Sequence, residues 1–487
     1  MDLLNSVTIM TFDNFDYQPD PYVWEAVDCL FKRQWWTRLW VVQEILLARR
    51  AIVHCGEKAV DIEKFVRFKA MESRYRRRNG PRLQSISSPL SHILWDWRRV
   101  KDSIAKNRLT LFELISMTGE SKCQEKKDNI FALLSLCTAK ERKYFSSDYH
   151  LPDRSLMIKV AQYFMNTREL QSPMKFLQTH QDGKTVSLPS WVPDYTIEDI
   201  GAHLMIPNIK GCTPYKAGAD NDAWTRLGLR PLAPEIVRRR CVNTFGPTLG
   251  LILGIILGYI SWIVTRRMNS ASARFGDEYS DETLIISGLK FDVIGFAFEM
   301  PSVEYYTGTD LKEDIDRKRK RRETTVATCQ EWEQHVQTMS LETNPYATLH
   351  GRREAFWRTL VADRDFDLKG PPNPSHDFAG RFEAWIGKNE GKANNEIYTR
   401  PYSDAAIWRC IKRSFVTTEK GYLGLAPWGA RKGDVICVLR GGDVPFVLRE
   451  KEHGYWELVG EAYLHGIMDG SWVRKAVKEN VMDFRII

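Results

Sequence analysis

The chain has 487 residues, of which 43% are hydrophobic and 27% are charged, and its formal net charge is +8. This balance excludes wholesale disorder, and so modest a charge does not by itself indicate a nucleic-acid partner. The nine Cys include no C-x-x-C pair, so reduced thiols in the cytoplasm are expected rather than a disulfide framework or a metal site.

The most informative segment near the start is residues 35–48, WWTRLWVVQEILLA, which places Gln43 and Glu44 inside an apolar run. At helical spacing Arg38 lies about one and a half turns before Glu44, near enough for a long side chain to approach the carboxylate. If this face is buried, Glu44 must be paired or protonated, because an isolated buried carboxylate is strongly disfavoured. The pair therefore predicts either a buried polar network or a functional site.

Helical patterns dominate the first part of the chain. Two amphipathic helices are predicted within residues 22–48, followed by a short strand at 51–55 that ends at Gly56. Residues 62–136 again show helical spacing of apolar side chains, which predicts a helical layer packed on this start.

Residues 246–264 form an uncharged run that is long enough to span a bilayer as a helix. Its Gly residues recur at every fourth position, which would let a partner helix approach closely. Three interpretations stay open. The run could be a membrane anchor, a segment foreign to the fold such as translated intron, or a buried or interfacial helix that the Gly residues would destabilise.

The patterns change in the second half of the chain. Residues 284–294 alternate apolar with small or polar side chains and predict a strand pair that turns at residues 287–288. The charged stretch 312–322 favours a solvated mixed-charge helix or loop over a basic binding patch. From Phe415 onward, short strands predict a small β-barrel or a strongly bent antiparallel sheet.

The common catalytic patterns are missing, since the sequence contains no P-loop, no G-x-S-x-G and no H-E-x-x-H. His54 and Cys55 are adjacent in a predicted strand, so their side chains point to opposite faces and cannot form a nucleophilic pair. Glu44 is the catalytic candidate that remains.

Several segments are similar, in order and spacing, to landmarks of fungal heterokaryon incompatibility (HET) domain proteins. They are residues 35–48 with their R-x-W-x-x-Q-E pattern, 127–136 (KDNIFALLSL), 147–149 (SDY), 188–195 (LPSWVPDY), 421–428 (GYLGLAPW) and 460–468 (GEAYLHGIM). The two motifs that open the HET domain in this family, one like S-Y-x-W-G and one like W-I-D-x-x-C-I-N-Q, do not occur. The chain is therefore expected to hold only the C-terminal part of that domain.

The resemblance implies a mixed α+β fold that starts with the remnant of an α/β domain related to Toll/interleukin-receptor domains. The expected order is this partial HET domain, a helical region, an insert with the apolar run, a strand pair with a charged helical region, and a β-rich domain. Their boundaries are 1–66, 67–200, 201–283, 284–400 and 401–487.

The implied function is signalling or interaction in fungal non-self recognition and programmed cell death. It would act through protein partners such as other HET-type chains, without a cofactor or nucleic acid, in the cytoplasm or anchored to a membrane through residues 246–264.

A second hypothesis follows from related Toll/interleukin-receptor enzymes that hydrolyse NAD with a Glu on a helix. By that analogy Glu44 would stabilise an oxocarbenium-like transition state, and Arg38, Trp40 and Gln43 would form the binding site. Alternatively, Arg38, Gln43 and Glu44 form a buried structural network, or the chain is a degenerate paralogue with neither activity.

Overall fold

The computed structural model divides the chain into two compact units. The N-terminal unit comprises Met1–Leu156 and Tyr195–Ile200, and the C-terminal unit comprises Met157–Asp194 and Gly201–Ile487. The structure describes residues 26–27, 29–79, 90, 93–94, 97–119, 121–167, 188–195, 215–218, 221–229, 273–275, 282–300, 311–340, 342–364, 377–387, 396–410 and 413–487.

Helices form most of the described part of the N-terminal unit, and the last of them continues into the C-terminal unit. They are α1 (Val41–Leu47), α2 (Ile62–Asn79), α3 (Trp97–Ala105), α4 (Leu111–Thr118), α5 (Asp128–Phe131), α6 (Ala139–Tyr144) and α7 (Asp153–Thr167). A hairpin of β1 (Ile52–Cys55) and β2 (Lys58–Asp61) lies between α1 and α2. Gly56 turns this hairpin with a φ of 60°, a conformation that favours glycine.

An aromatic cluster holds the start of this unit together. Phe31 stacks on Trp36 at a ring separation of 5.1 Å, and Trp36 contacts Phe65 of α2 at 5.1 Å. Both Phe31 and Trp36 are fully buried. Such ring pairs add to the free energy gained from burying the apolar surface, so they fix α2 against the short 3-10 turn Gln34–Thr37.

The C-terminal unit contains one large sheet and several helices. The strands are β3 (Ala273–Phe275), β4 (Leu284–Glu299), β5 (Arg413–Thr418), β6 (Leu423–Pro427), β7 (Val435–Leu439), β8 (Phe446–Glu450), β9 (Tyr455–Glu461), β10 (Tyr463–Leu464) and β11 (Val481–Ile486). The helices are α8 (Asn221–Arg226), α9 (Leu311–Thr338), α10 (Leu349–Leu360), α11 (Phe378–Trp385), α12 (Glu396–Cys410) and α13 (Ser471–Lys475).

Five of these strands close into a barrel. Neighbours pair in the order β4, β11, β9, β8 and β7, and β7 pairs again with β4. The far end of β4 pairs with β5, which continues into a second sheet through β6 and β10. The prediction of a small C-terminal barrel is therefore confirmed, and its β9–β11 pair is parallel.

The predicted strand pair at residues 284–294 is wrong, because these residues form the first part of the single strand β4. Gly288 does not make a turn. A Cβ at this position would lie 2.9 Å from both the Leu439 side chain and the Val438 carbonyl oxygen, so the glycine permits close packing against β7. Two register shifts bend β4, which lets one strand serve both the barrel and the second sheet.

Helices cover the second sheet. Trp332 of α9 stacks on Phe415 of β5 at 5.1 Å, and Phe356 of α10 meets the same ring edge-on at 5.5 Å. The charged stretch 312–322 lies in α9. It is therefore a helix, which was one of the two predicted forms. Among the described residues no helix has the length and apolar character needed to cross a membrane, and the run at 246–264 lies outside them.

Candidate functional site

Helix α1 carries the polar pair that the sequence singles out. Val41, Val42, Ile45 and Leu46 are buried and form its inner face. Gln43 is half-buried and donates a hydrogen bond from its amide nitrogen to the carbonyl oxygen of Ala132. Glu44, in contrast, is exposed to solvent.

Three of the family-like segments meet at the carboxylate of Asp128. Trp40 donates from Nε1 to Oδ2 of Asp128 at 3.1 Å, and the Tyr149 hydroxyl donates to Oδ1 at 2.6 Å. We call these three residues the Asp128 cluster. Asp128 is only 7% exposed, whereas the side chains of Trp40 and Tyr149 are 36% and 47% exposed. One buried carboxylate therefore holds two aromatic rings at the protein surface.

Further contacts fix Tyr149 in this position. Its ring meets Phe131 edge-on at 5.0 Å, and Lys127 donates to its backbone carbonyl oxygen at 2.7 Å. Lys127 also pairs with Asp153 at 3.6 Å. The hydrogen bond to Asp128, together with partial burial, raises the pKa of the Tyr149 phenol to about 12. The phenol therefore stays protonated and remains a donor at neutral pH.

The buried network of Arg38, Gln43 and Glu44 does not form, so that interpretation is wrong. Arg38 and Glu44 are both exposed, and no ion pair joins them. The buried face of α1 is formed by Val41, Val42, Ile45 and Leu46, and Glu44 lies outside that face. Of the predicted site residues, the structure ties Trp40 and Gln43 to the segment after α4 and leaves the two charged side chains in solvent.

The family-like segments of the C-terminal unit also meet. Strand β10 pairs with β6, so Tyr463 lies opposite Leu425. The Tyr346 hydroxyl accepts from the backbone N–H of Leu423 at 2.9 Å and donates to the carbonyl oxygen of His465 at 3.2 Å. A single buried hydroxyl thus joins residues 421–428 to residues 460–468.

The segment 188–195 joins the barrel in a similar way. Trp191 is fully buried and donates from Nε1 to the carbonyl oxygen of Glu282 at 2.8 Å, just before β4. The Ser190 hydroxyl accepts from the backbone N–H of Leu458 at 2.8 Å and donates to the carbonyl oxygen of Ile487. These contacts explain why a Ser and a Trp stand together at this position.

A histidine lies at the end of β10, where the two joined segments meet. The Tyr463 hydroxyl lies 2.9 Å from Nδ1 of His465. Burial and the nearby Arg358 guanidinium lower the pKa of His465 to about 4, so its imidazole is neutral at physiological pH. Among the described residues no cluster of His, Cys, Asp or Glu side chains could hold a metal ion.

Comparison with known proteins identifies the barrel. Residues 387–485 match the family model of the Het-6 β-barrel domain. The chain carries a Het-6 β-barrel domain. The Neurospora crassa protein named heterokaryon incompatibility protein 6, OR allele, is 36% identical over 93 residues, which is 18% of this chain and 14% of the relative.

The resemblance to fungal heterokaryon incompatibility proteins is thereby confirmed, although the match spans about a seventh of this relative's length. No solved structure matches the chain at a significant level. The structure extends the Het-6 barrel beyond the matched residues, because β4 at Leu284–Glu299 supplies the strand that closes it. The relation of the N-terminal unit to Toll/interleukin-receptor domains stays a prediction.

Proposed function

We propose that this chain acts in fungal heterokaryon incompatibility as a protein-interaction component of non-self recognition, with cell death as its output. The Het-6 barrel and the similarity to heterokaryon incompatibility protein 6 support the biological setting. The Asp128 cluster carries the proposal of an interaction role. It presents two immobilised aromatic rings to solvent, and Trp and Tyr side chains of this kind dominate the binding energy of protein interfaces.

The position of Glu44 favours this role over NAD hydrolysis. Its carboxylate lies in solvent on the outer face of α1. A unit charge in water interacts with a second charge 4 Å away by about 1 kcal/mol, but the interaction is several times stronger in a water-excluded site. A carboxylate that stabilises an oxocarbenium-like transition state must lie in a water-excluded cleft, because electrostatic stabilisation is strong only there.

The test is cell death in a fungal host that expresses the full chain together with an incompatible partner strain. We expect Tyr149→Ala to lower the fraction of dead fusion cells, because it removes an anchor ring. Tyr144→Ala is the matched control, since Tyr144 is also 47% exposed and belongs to the same unit. Equal death with both variants would contradict an interaction role for the Asp128 cluster, and no death with the unaltered chain would identify a degenerate paralogue.

A second measurement separates interaction from catalysis. Purified full-length chain is incubated with NAD, and the remaining NAD is measured over time. The proposal expects no consumption. Consumption that Glu44→Gln abolishes, with an unchanged melting temperature, would overturn the proposal and select the NAD-hydrolysing enzyme.

A further inference from the structure

We propose that the outer face of the barrel binds a phosphate group, with Arg440 as its anchor and Arg485 as a second cation. Arg440 directly follows β7, and Arg485 belongs to β11. The ligand is a free phosphate ion or the phosphate group of a small ester such as a nucleotide. This inference concerns the C-terminal unit and goes beyond the proposed interaction function. We call the place the Arg440 site.

Arg440 is a buried cation that lacks a counter-charge. The residue is only 7% exposed, its Nε makes no hydrogen bond, and no carboxylate pairs with it among the residues that the structure describes. Burial lowers the pKa of Arg440, but a guanidinium stays protonated at neutral pH. A buried charge is strongly disfavoured unless an opposite charge pairs with it. We therefore expect an anion to bind there.

The strand register places the Arg440 side chain on the outside of the barrel. Its backbone N–H donates to the Ser287 carbonyl oxygen at 2.9 Å, one residue beyond the pair of Leu439 and Gly288. Arg440 and Ser287 thus lie opposite each other and share a face of the sheet. A Cβ at Gly288 would touch the side chains of Leu439 and Phe484, and both of these are fully buried. Because successive strand residues point to opposite faces, Arg440 and Ser287 lie on the outer face.

A second cation lies on the same face. Asp483 of β11 is opposite Ser287, and Arg485 follows two residues later, so its side chain also points outwards. Arg485 is exposed and forms no ion pair within the described part of the chain. Asp483 accepts a hydrogen bond from the Ser287 hydroxyl at 2.6 Å. From the strand spacing, the Cα atoms of Arg440 and Arg485 are about 12 Å apart, a span that two Arg side chains and one phosphate can fill together.

The surroundings of Arg440 exclude most water. Val438, two residues earlier on the same face, belongs to a buried apolar cluster with Trp224 of α8. Residues 215–218 pack on the turn that follows Arg440, since a Cβ at Gly218 would overlap the Gly442 carbonyl oxygen. The attraction between opposite charges is several times stronger beside such apolar walls than in bulk water. One anion can therefore bind here with useful affinity.

Two cations on neighbouring strands favour a phosphate over a carboxylate. One guanidinium fork satisfies both oxygens of a carboxylate. A phosphate group is tetrahedral, so its oxygens point in several directions and can accept from Arg440 and Arg485 at the same time. A phosphate ester also carries a charge of about −1.5 to −2 at pH 7, which balances two guanidinium groups.

The test is equilibrium dialysis of the full-length chain against radiolabelled inorganic phosphate, in chloride buffer at constant ionic strength. We expect saturable binding of one phosphate per chain, and Arg440→Met should abolish it. Arg440→Lys should raise the dissociation constant by about ten-fold, because it keeps the charge but loses the planar fork. Arg485→Met should raise it by about five-fold. The matched control is Arg431→Met, which removes an exposed Arg elsewhere in the same unit and should leave the affinity unchanged.

Thermal unfolding gives an independent measurement. A ligand that binds only the folded chain raises its melting temperature, so saturating phosphate should raise that of the unaltered chain by about 2 °C or more. The melting temperature of Arg440→Met should not respond to phosphate. Melting in chloride alone identifies any variant that fails to fold, and Arg440→Lys keeps the test decisive if Arg440→Met is such a variant.

A nucleoside monophosphate is tested in the same way to distinguish the two sources of phosphate. Equal affinity would identify the phosphate group itself as the ligand, and tighter binding of the nucleotide would show that the ester also contacts the site; both results support the inference. Three results would overturn it: no saturable binding, binding that Arg440→Met leaves unchanged, or acetate that binds as tightly as phosphate. None of them bears on the proposed function, whose test uses the N-terminal unit.

Discussion

Replacing Asp128 by Asn tests whether one carboxylate organises the N-terminal site. In the unaltered chain the two carboxylate oxygens accept hydrogen bonds from Trp40 at 3.1 Å and from Tyr149 at 2.6 Å. Asparagine has nearly the same size but only one acceptor oxygen, so its amide N–H₂ group faces the other donor. One hydrogen bond is lost, and the remaining one no longer involves a charge.

The expected magnitude follows from these contacts. A hydrogen bond to a charged group contributes about 1.5–3 kcal/mol when its partner is buried. The rings of Trp40 and Tyr149 are partly exposed, so water replaces part of each lost interaction. We therefore expect Asp128→Asn to lower the local free energy of unfolding by about 2 kcal/mol.

Native-state hydrogen exchange measures this change, because peptides covering α1 and α5 report the free energy of local opening. The control is Asp102→Asn, which removes an exposed i, i+4 pair with Lys106 and should cost about 0.5 kcal/mol or less. A double-mutant cycle with Trp40→Phe should show coupling of about 1 kcal/mol. If the free-energy changes of the two single variants add up to that of the double variant within about 0.3 kcal/mol, the shared role of the carboxylate is refuted.

The same contact predicts a pH dependence. The pKa of Tyr149 is raised to about 12, above its usual value of 10, chiefly by the hydrogen bond to Asp128. This stabilisation is therefore complete below pH 10 and is lost as the pH rises through about 12. The tyrosinate absorbance of the unaltered chain minus that of Tyr149→Phe gives the titration, and in Asp128→Asn its midpoint should fall towards 10.

Three further predictions concern the barrel and the second sheet of the C-terminal unit, and they use thermal or urea unfolding. Glu461→Gln breaks the buried ion pair with Arg413 at 2.7 Å and should destabilise by about 3 kcal/mol, and a loss below about 1 kcal/mol would contradict a buried pair. Gly421→Ala should lower the free energy of unfolding by more than about 2 kcal/mol. The φ of Gly421 is 83°, and a Cβ would lie 1.8 Å from the Thr343 carbonyl oxygen. An unchanged free energy of unfolding would exclude this strain. Arg440→Met should leave the free energy of unfolding unchanged or raise it by about 1 kcal/mol. The guanidinium is 7% exposed, burial lowers its pKa, and its Nε makes no hydrogen bond within the described residues. Clear destabilisation would show that the charge is paired.

Local patterns predicted the strands of the barrel but not its closure. Strands β6, β7, β8 and β9 were recognisable because they are short, mostly apolar runs bounded by glycines and charged residues. The sequence S-G at residues 287–288 was interpreted as a turn, since glycine is common in turns. Its actual role is a close approach between strands that are far apart along the chain, and no local pattern contains this information.

The N-terminal site shows a similar division. The unusual pair of Gln43 and Glu44 in an apolar run marked α1 correctly, and periodicity indicated its helix. Periodicity could not tell which side chains are buried, so Glu44 was expected in a network and is in fact exposed. Asp128 and Tyr149 were present in the family-like segments, yet neither was recognised as part of the site.

The sequence by itself therefore indicated the helix of the N-terminal site and the short strands after Phe415. It also indicated the resemblance to heterokaryon incompatibility proteins, and two of the segments that carry it, 421–428 and 460–468, lie within the Het-6 match. These properties depend on neighbours along the chain. Only the tertiary structure decided that β4 closes the barrel and that Trp40 and Tyr149 share the carboxylate of Asp128. Such contacts join residues distant in sequence, because burial and hydrogen bonding depend on the packing of the whole unit rather than on local spacing.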